Sequence, residues 1–382
     1  MLTAYTREID DTAGAVDDVM RQLQLQERLL RHSIGIAAFH PEFLETGAVK
    51  AVSDALPFDV VGSTTSVTAV AGAADDLMLT VGVLTSDDIL FRAGACNLKD
   101  DEPQAAIQRL YARLAPPFTE KPALLFTLAP VIADFGGDAV LAALDAVSGG
   151  IPVFGSLTST PMLDFSGMET CFNGEHHAGL LTLVALFGEV SPEFYLTTMP
   201  DDMIIHQKSV ITKAVNNRIQ SINNLAPLDY LESLGLAENG NIAGIGPIPF
   251  ILTQDDGSRV VRSAHSAAED GDILTFGSVP QGAKIGFCGA GAEYVLQSTR
   301  DAVACAVAAR GSAQALIFSC AGRKWHLGSG ATAEINELVR HLGRAVTYQF
   351  AYSTGELCPV KNNCGRLVNA FHNFSMIACL LR

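Results

Sequence analysis

Three short segments near the C-terminus carry side chains suited to holding or transforming a small polar molecule. "FSCAGR" supplies Cys320 and Arg323, "YSTGE" supplies Ser353, Gly355 and Glu356, and "FHN" supplies His372 and Asn373. A guanidinium grips a carboxylate through two parallel hydrogen bonds, and a carboxylate complements an ammonium. Arg323 and Glu356 together therefore suit a zwitterion such as an amino acid. The same set contains a thiol nucleophile, Cys320, with His372 as a base and Glu356 or Asn373 to orient the ring. Structural roles compete with both. A strand-end thiol commonly packs as a small hydrophobe, Arg323 and Glu356 can form a plain ion pair, and a His-Asn pair can satisfy an edge turn. Glu356 keeps three open readings: turn residue, ligand anchor or base.

A second pattern lies upstream. "VVGSTTS" (60–66) and "VFGSLTS" (153–159) share V-x-G-S-x-T-S, each after a short apolar run. Gly62, with the hydroxyls and backbone N–H groups of Thr64 and Thr65, suits an anionic or polar group. The plainer reading is a strand-exit turn whose hydroxyls satisfy local backbone. His176–His177 lacks carboxylate or Cys companions at metal spacing and reads as a surface turn, and no metal or cofactor is implied. Trp325 is the sole tryptophan and can wall a pocket or pack a loop.

These residues must be positioned by strands and helices that the apolar pattern marks. Strands are expected at 33–39, from Phe58, at 77–85, 123–129, 151–155 and 179–187, with helices over Asp10–Leu30, Gly47–Ala55, Pro103–Leu114 and Asp138–Val147. Near-continuous apolar strands alternating with helices indicate an α/β layer structure. Pro192–Asp202 reads as a boundary, giving domains 1–195 and 203–382. The second half opens with a hairpin at Asn216–Asn217, a short helix at 226–236 and a Gly/Pro-punctuated meander. It closes with a helix over Glu293–Arg310, a strand at 314–323, a helix over 331–342 and strands at 346–353 and 372–381. The fold class is α/β followed by α+β, a two-domain mixed-sheet architecture.

Composition narrows the function. The chain has 382 residues, 48% hydrophobic, with formal net charge −16. Without a clustered basic surface, a nucleic-acid or anionic-membrane partner is disfavoured. Eight cysteines without a CxxC indicate a reduced, cytoplasmic protein. The longest apolar runs fall short of the ~20 residues of a membrane span.

"FSCAGRKWHLGSGATAEINEL", "YQFAYSTGELCPV" and "VNAFHNFSMIACLL" together resemble the C-terminal half of FIST proteins, and "VVGSTTS" is similar to the Gly-x-Thr-Thr signature of the FIST N-terminal domain. The matching positions are Cys320, Gly322, Arg323, Leu327, Gly328, Glu334, Gly355, Glu356, Pro359, His372 and Asn373, with Gly62, Thr64 and Thr65 upstream. Here "SVTAV" stands where the family continues into a small-Gly-Glu turn. The resemblance implies a sensory module for a small ligand, with amino acids proposed. It also implies signal transduction through a separate output protein such as a histidine kinase.

Overall fold

The apolar strands assemble into three mixed six-stranded sheets, and the antiparallel stretch of the second half closes into a barrel. The computed structural model describes residues 1–382 except 100–101, 117–119, 163–165, 200–202, 239–248, 256, 258, 269, 289–290, 309–313, 331, 343–345, 363 and 382. The end of the Pro192–Asp202 segment thus lies outside the described residues.

Each sheet is built on one strand–helix–strand crossover. The first joins His32–Phe39 to Val60–Thr64 through the helix Ala48–Ala55. The second joins Leu124–Ala129 to Val153–Leu157 through Gly137–Ser148. The third joins Gln314–Cys320 to Thr347–Ser353 through Ala333–Leu342. A return strand lies antiparallel to the first strand of each pair: Leu79–Ser86, Leu180–Phe187 and Met376–Leu381. An edge strand and a helix precede each crossover: Leu2–Thr6 with Thr12–Leu23, Leu90–Asn97 with Pro103–Leu114, and Glu193–Thr197 with Ala292–Ala308. The same order of elements therefore occurs three times.

The register repeats as well. Ser63, Ser156 and Ser353 stand opposite Ala38, Leu128 and Cys320 in the three parallel pairs. The V-x-G-S-x-T-S echo is thus two copies of a threefold feature, and "FAYSTGE" (350–356) is the third. In that third copy Tyr352 replaces the glycine, Gly355 the second threonine, and Glu356 the final serine.

After the second parallel strand, each unit sends a hairpin to a neighbouring sheet. Thr68–Val70 with Ala73–Asp75 pairs onto Thr347–Ser353. Thr170–Phe172 with Glu175–His177 pairs onto Val60–Thr64. Glu356–Lys361 with Leu367–His372 pairs onto Val153–Leu157. The exchange is cyclic, and strands from both ends of the chain share sheets. The inner sheet faces meet in one core that includes Ile36, Val61, Phe126, Phe154, Phe318 and Ile377, while helices cover the outer faces. Burial on both faces explains why these strands read as unbroken apolar runs.

The barrel comprises Ile204–Val215, Arg218–Ile222, Pro249–Thr253, Arg259–Ala267, Ile273–Thr275 and Lys284–Cys288. It has its own core around Ile211, Phe250 and Ile285, and it is inserted within the third unit, between Glu193–Thr197 and Ala292–Ala308. Buried Arg262 fastens it to the second unit by donating to Asp138 Oδ1 at 2.8 Å, while Ser278 N donates to Asp138 Oδ2 at 2.6 Å. Phe371 fills the space left by three glycines: a Cβ on Gly137, Gly277 or Gly355 would come within 2.2, 2.6 or 2.3 Å of its ring.

Local differences from the sequence expectations have simple causes. The first helix, capped by Asp11 accepting from Gly14 N, stops at Leu23 because Gln24 adopts left-handed φ, and a short helix Leu25–Arg28 follows. The strand expected at 314–323 ends at Cys320, and Ala321–His326 is helical, so Arg323 lies on a helix. Glu356 begins a strand instead of sitting in a turn. The strand expected at 372–381 is two strands broken at Asn373–Ser375, where Phe374 has φ 59°. His372 thus ends the first of them. His176–His177 is exposed, as expected, but in a three-residue strand, with His176 Nδ1 2.5 Å from Glu169 Oε2.

Candidate functional site

The exits of the three crossover strands meet in one buried polar junction. Ser159 N donates to Thr64 O at 3.1 Å and Leu157 N to Gly355 O at 2.8 Å. Thr65 Oγ1 donates to Tyr352 O at 2.9 Å, and Thr354 Oγ1 to Thr158 O at 2.7 Å. Strand exits expose backbone polar groups that the ladder no longer pairs, so hydroxyl-rich sequence there satisfies them.

Glu356 is the carboxylate of this junction. It is fully buried, with Oε1 hydrogen-bonded to the Ser353 hydroxyl and Oε2 to that of Ser375, each at 2.6 Å. Burial pushes its carboxyl up to about 8, against the pull of both serines and of the Arg323 charge. A neutral carboxyl at neutral pH can donate as well as accept.

Arg323 is taken by a different acid. Its guanidinium lies 2.8 Å from Glu334 Oε1 and also donates to Val295 O, Ser298 Oγ and Thr299 Oγ1. Glu334 further accepts from Thr299 Oγ1, Ser319 Oγ and Tyr352 OH, all within 3.1 Å. Arg323 and Glu334 are both fully enclosed. The plain ion pair expected between Arg323 and Glu356 is therefore an Arg323–Glu334 pair, with Glu356 held by serines.

Cys320 is buried, and its thiol is raised well above its ordinary value by burial and by Glu356. A thiol held in its protonated form is a poor nucleophile. His372 stands opposite Glu356 in the strand register, but its Nε2 bonds with Cys358 O at 3.1 Å, and burial lowers it to about 4. The proposed base is thus committed to a backbone carbonyl. Asn373 is buried and bridges two bodies: Nδ2 donates to Thr354 O at 2.9 Å, and Oδ1 accepts from barrel residue Ser263 N at 3.3 Å. Gly355 is required by the Phe371 ring. Gly62 is a packing glycine, where a Cβ would lie 2.8 Å from Cys171 Sγ. Thr64 Oγ1 accepts from Glu169 N at 3.0 Å, and Thr65 Oγ1 also lies 3.0 Å from Val67 O, an alternative acceptor for its one proton.

The fold thus gathers Gly355, Glu356, Cys320, Asn373, Thr64 and Thr65 around the junction and its supporting shell. Arg323 lies behind it with Glu334, and His372 on the adjoining strand. Sequence reasoning missed Lys324, whose Nζ lies 3.5 Å from Ser66 O and 5.9 Å from the Tyr352 ring centroid. It also missed the role of Glu334. Glu334, Leu338 and Leu342 recur at helical spacing, and a carboxylate on an apolar stripe signals a buried polar or cationic partner. Among the described residues no group of three or more His, Cys, Asp or Glu has metal-binding geometry, and no helix is long and apolar enough to cross a membrane.

The FIST N domain matches residues 33–225 and the FIST C domain residues 226–359. The chain belongs to the FIST family, whose domains are sensory, non-catalytic modules of signal transduction. His372 and Asn373 lie beyond the matched span. No curated protein matches the chain.

Proposed function

We propose that the protein is a cytoplasmic sensor that binds a small polar metabolite, an amino acid or a close relative, at the three-exit junction. It would pass the change to a separate signalling protein such as a histidine kinase. One observation carries this reading. At three equivalent strand exits two units place serine, Ser66 and Ser159, and the third places a buried carboxylate, Glu356. A hydroxyl suffices to close a turn, whereas a buried carboxyl is costly unless it has work to do. Glu356 suits the ammonium or another donor of a ligand, with Thr64, Thr65, Gly355 and Asn373 shaping the wall.

The junction also has a route outward. Asn373 ties the Thr354–Gly355–Glu356 segment to the barrel strand Arg259–Ala267, so a ligand that moves this segment changes how the barrel is held. The test is a thermal-shift and calorimetric screen of amino acids and related metabolites against wild type and Glu356→Gln. A ligand that stabilises wild type and loses affinity in the variant supports the site. A hit indifferent to the variant, or no hit at all, counts against it.

A further inference from the structure

Three hydroxyls of the junction stand out by what they lack. Ser66 Oγ, Thr158 Oγ1 and Ser159 Oγ are buried and have no hydrogen-bond partner among the described residues. A buried polar group left unsatisfied is costly, so native proteins carry few of them. Here three fall on adjacent strand exits. Ser66 and Ser159 close the two copies of the echo, and Ser159 N bonds to Thr64 O.

A cation stands beside Ser66. Lys324 follows Arg323 on the helix Ala321–His326 and remains partly exposed. Its ammonium has three donors, yet among the described residues its one hydrogen bond is the 3.5 Å contact to Ser66 O and it has no ion pair within 4.0 Å. The face of Tyr352 lies 5.9 Å away, and the charge of Asp76 acts on it from farther off. Arg323, the cation that the sequence favours for an anionic ligand, is occupied by Glu334.

We infer that the junction binds an oxyanion, the carboxylate or phosphate of a small ligand, between the Lys324 ammonium and the hydroxyls of Ser66, Thr158 and Ser159. This rests on the sensor reading and specifies its ligand: the anionic end goes to Lys324, and the donor end to Glu356. A carboxylate or phosphate offers acceptor lone pairs to hydroxyls that are short of partners, and its charge complements a half-desolvated ammonium. The partial exposure of Lys324 puts the cation on the side from which a ligand would enter.

The experiment titrates the full chain with acetate, succinate, glutamate and inorganic phosphate by calorimetry and thermal shift. The same is done for Lys324→Met, Lys324→Arg and the double variant Ser66→Ala/Ser159→Ala. At least one anion is expected to stabilise wild type. Lys324→Met should weaken that anion about tenfold or more, Lys324→Arg should retain most of it, and the serine variant should weaken it several-fold. Without anion, the serine variant should be at least as stable as wild type, because it removes unpaired hydroxyls, whereas a purely structural role predicts a loss. A response to carboxylates alone or to phosphate alone identifies the source of the oxyanion. No anion response in wild type, or equal responses in wild type and Lys324→Met, overturns the inference. An amine without an anionic group that binds through Glu356 while every anion fails would overturn this inference and leave the sensor reading standing. Glutamate binding that falls in Lys324→Met yet is unaffected by Glu356→Gln would do the reverse.

Discussion

Arg323 and Glu334 form a fully enclosed ion pair at 2.8 Å, and this pairing withdraws the arginine from Glu356. Removing one partner leaves the other charge buried and uncompensated, which costs about 3–5 kcal/mol. Arg323→Met should lower the unfolding free energy obtained from urea denaturation by that order, and the double variant Arg323→Met/Glu334→Leu should recover much of the loss. Equal stability of the single and double variants would contradict a coupled pair.

Glu356 makes stability depend on pH. Its folded value of about 8 lies above its ordinary 4.5, so the native state holds a proton that the unfolded chain releases. The contribution is fully present below pH ~4.5 and is lost as pH rises through about 8. Relative to Glu356→Gln, wild type should lose stability with a slope approaching ~1.4 kcal/mol per pH unit between these limits. Denaturant midpoints of both proteins across pH 5–9 would show parallel profiles if the carboxyl titrated normally.

The same proton links to ligand binding. An ammonium placed against Glu356 favours the ionised carboxylate, so an amine-bearing ligand should bind more tightly at pH 9 than at pH 6 and release protons on binding near pH 7. Calorimetry in buffers of different ionisation enthalpy reads that release directly. A ligand that binds without proton exchange does not contact the carboxyl through an ammonium.

Cys320 should resist alkylation. Buried, with its thiol raised by burial and by Glu356, it is expected to stay unlabelled by iodoacetamide at pH 7 while exposed Cys305 and Cys364 react. Peptide mapping of the folded protein distinguishes them, and fast selective labelling of Cys320 would revive a thiol chemistry.

Gly355→Ala should destabilise by about 1–3 kcal/mol, because its methyl would enter the Phe371 ring position. Adding Phe371→Leu should cost less in this background than in wild type. Additive losses would show that the ring is not the obstacle.

The long apolar strands were legible because both of their faces are buried, as at 33–39, 123–129 and 346–353. The exchanged hairpins were not, because pieces such as Thr68–Val70 and Thr170–Phe172 are three residues long and their partners lie in another unit. The echo revealed two repeats and hid the third, since Tyr352, Gly355 and Glu356 replace three of its recognisable positions. Glu356 was legible as a distinctive carboxylate, but its partners were not: Ser375 lies beyond an intervening hairpin, and Arg323 turns away on a helix that reads as strand.

The cyclic hairpin exchange bears on how the molecule is made. During synthesis the first hairpin, Thr68–Val70 with Ala73–Asp75, emerges long before the Thr347–Ser353 strand that receives it. The edge of Val153–Leu157 likewise waits for Glu356–Lys361. Unpaired edges invite wrong partners. The ring closes only when the third unit is complete, so the junction with its carboxyl is among the last parts to form, and a chain truncated before the third unit would lack it.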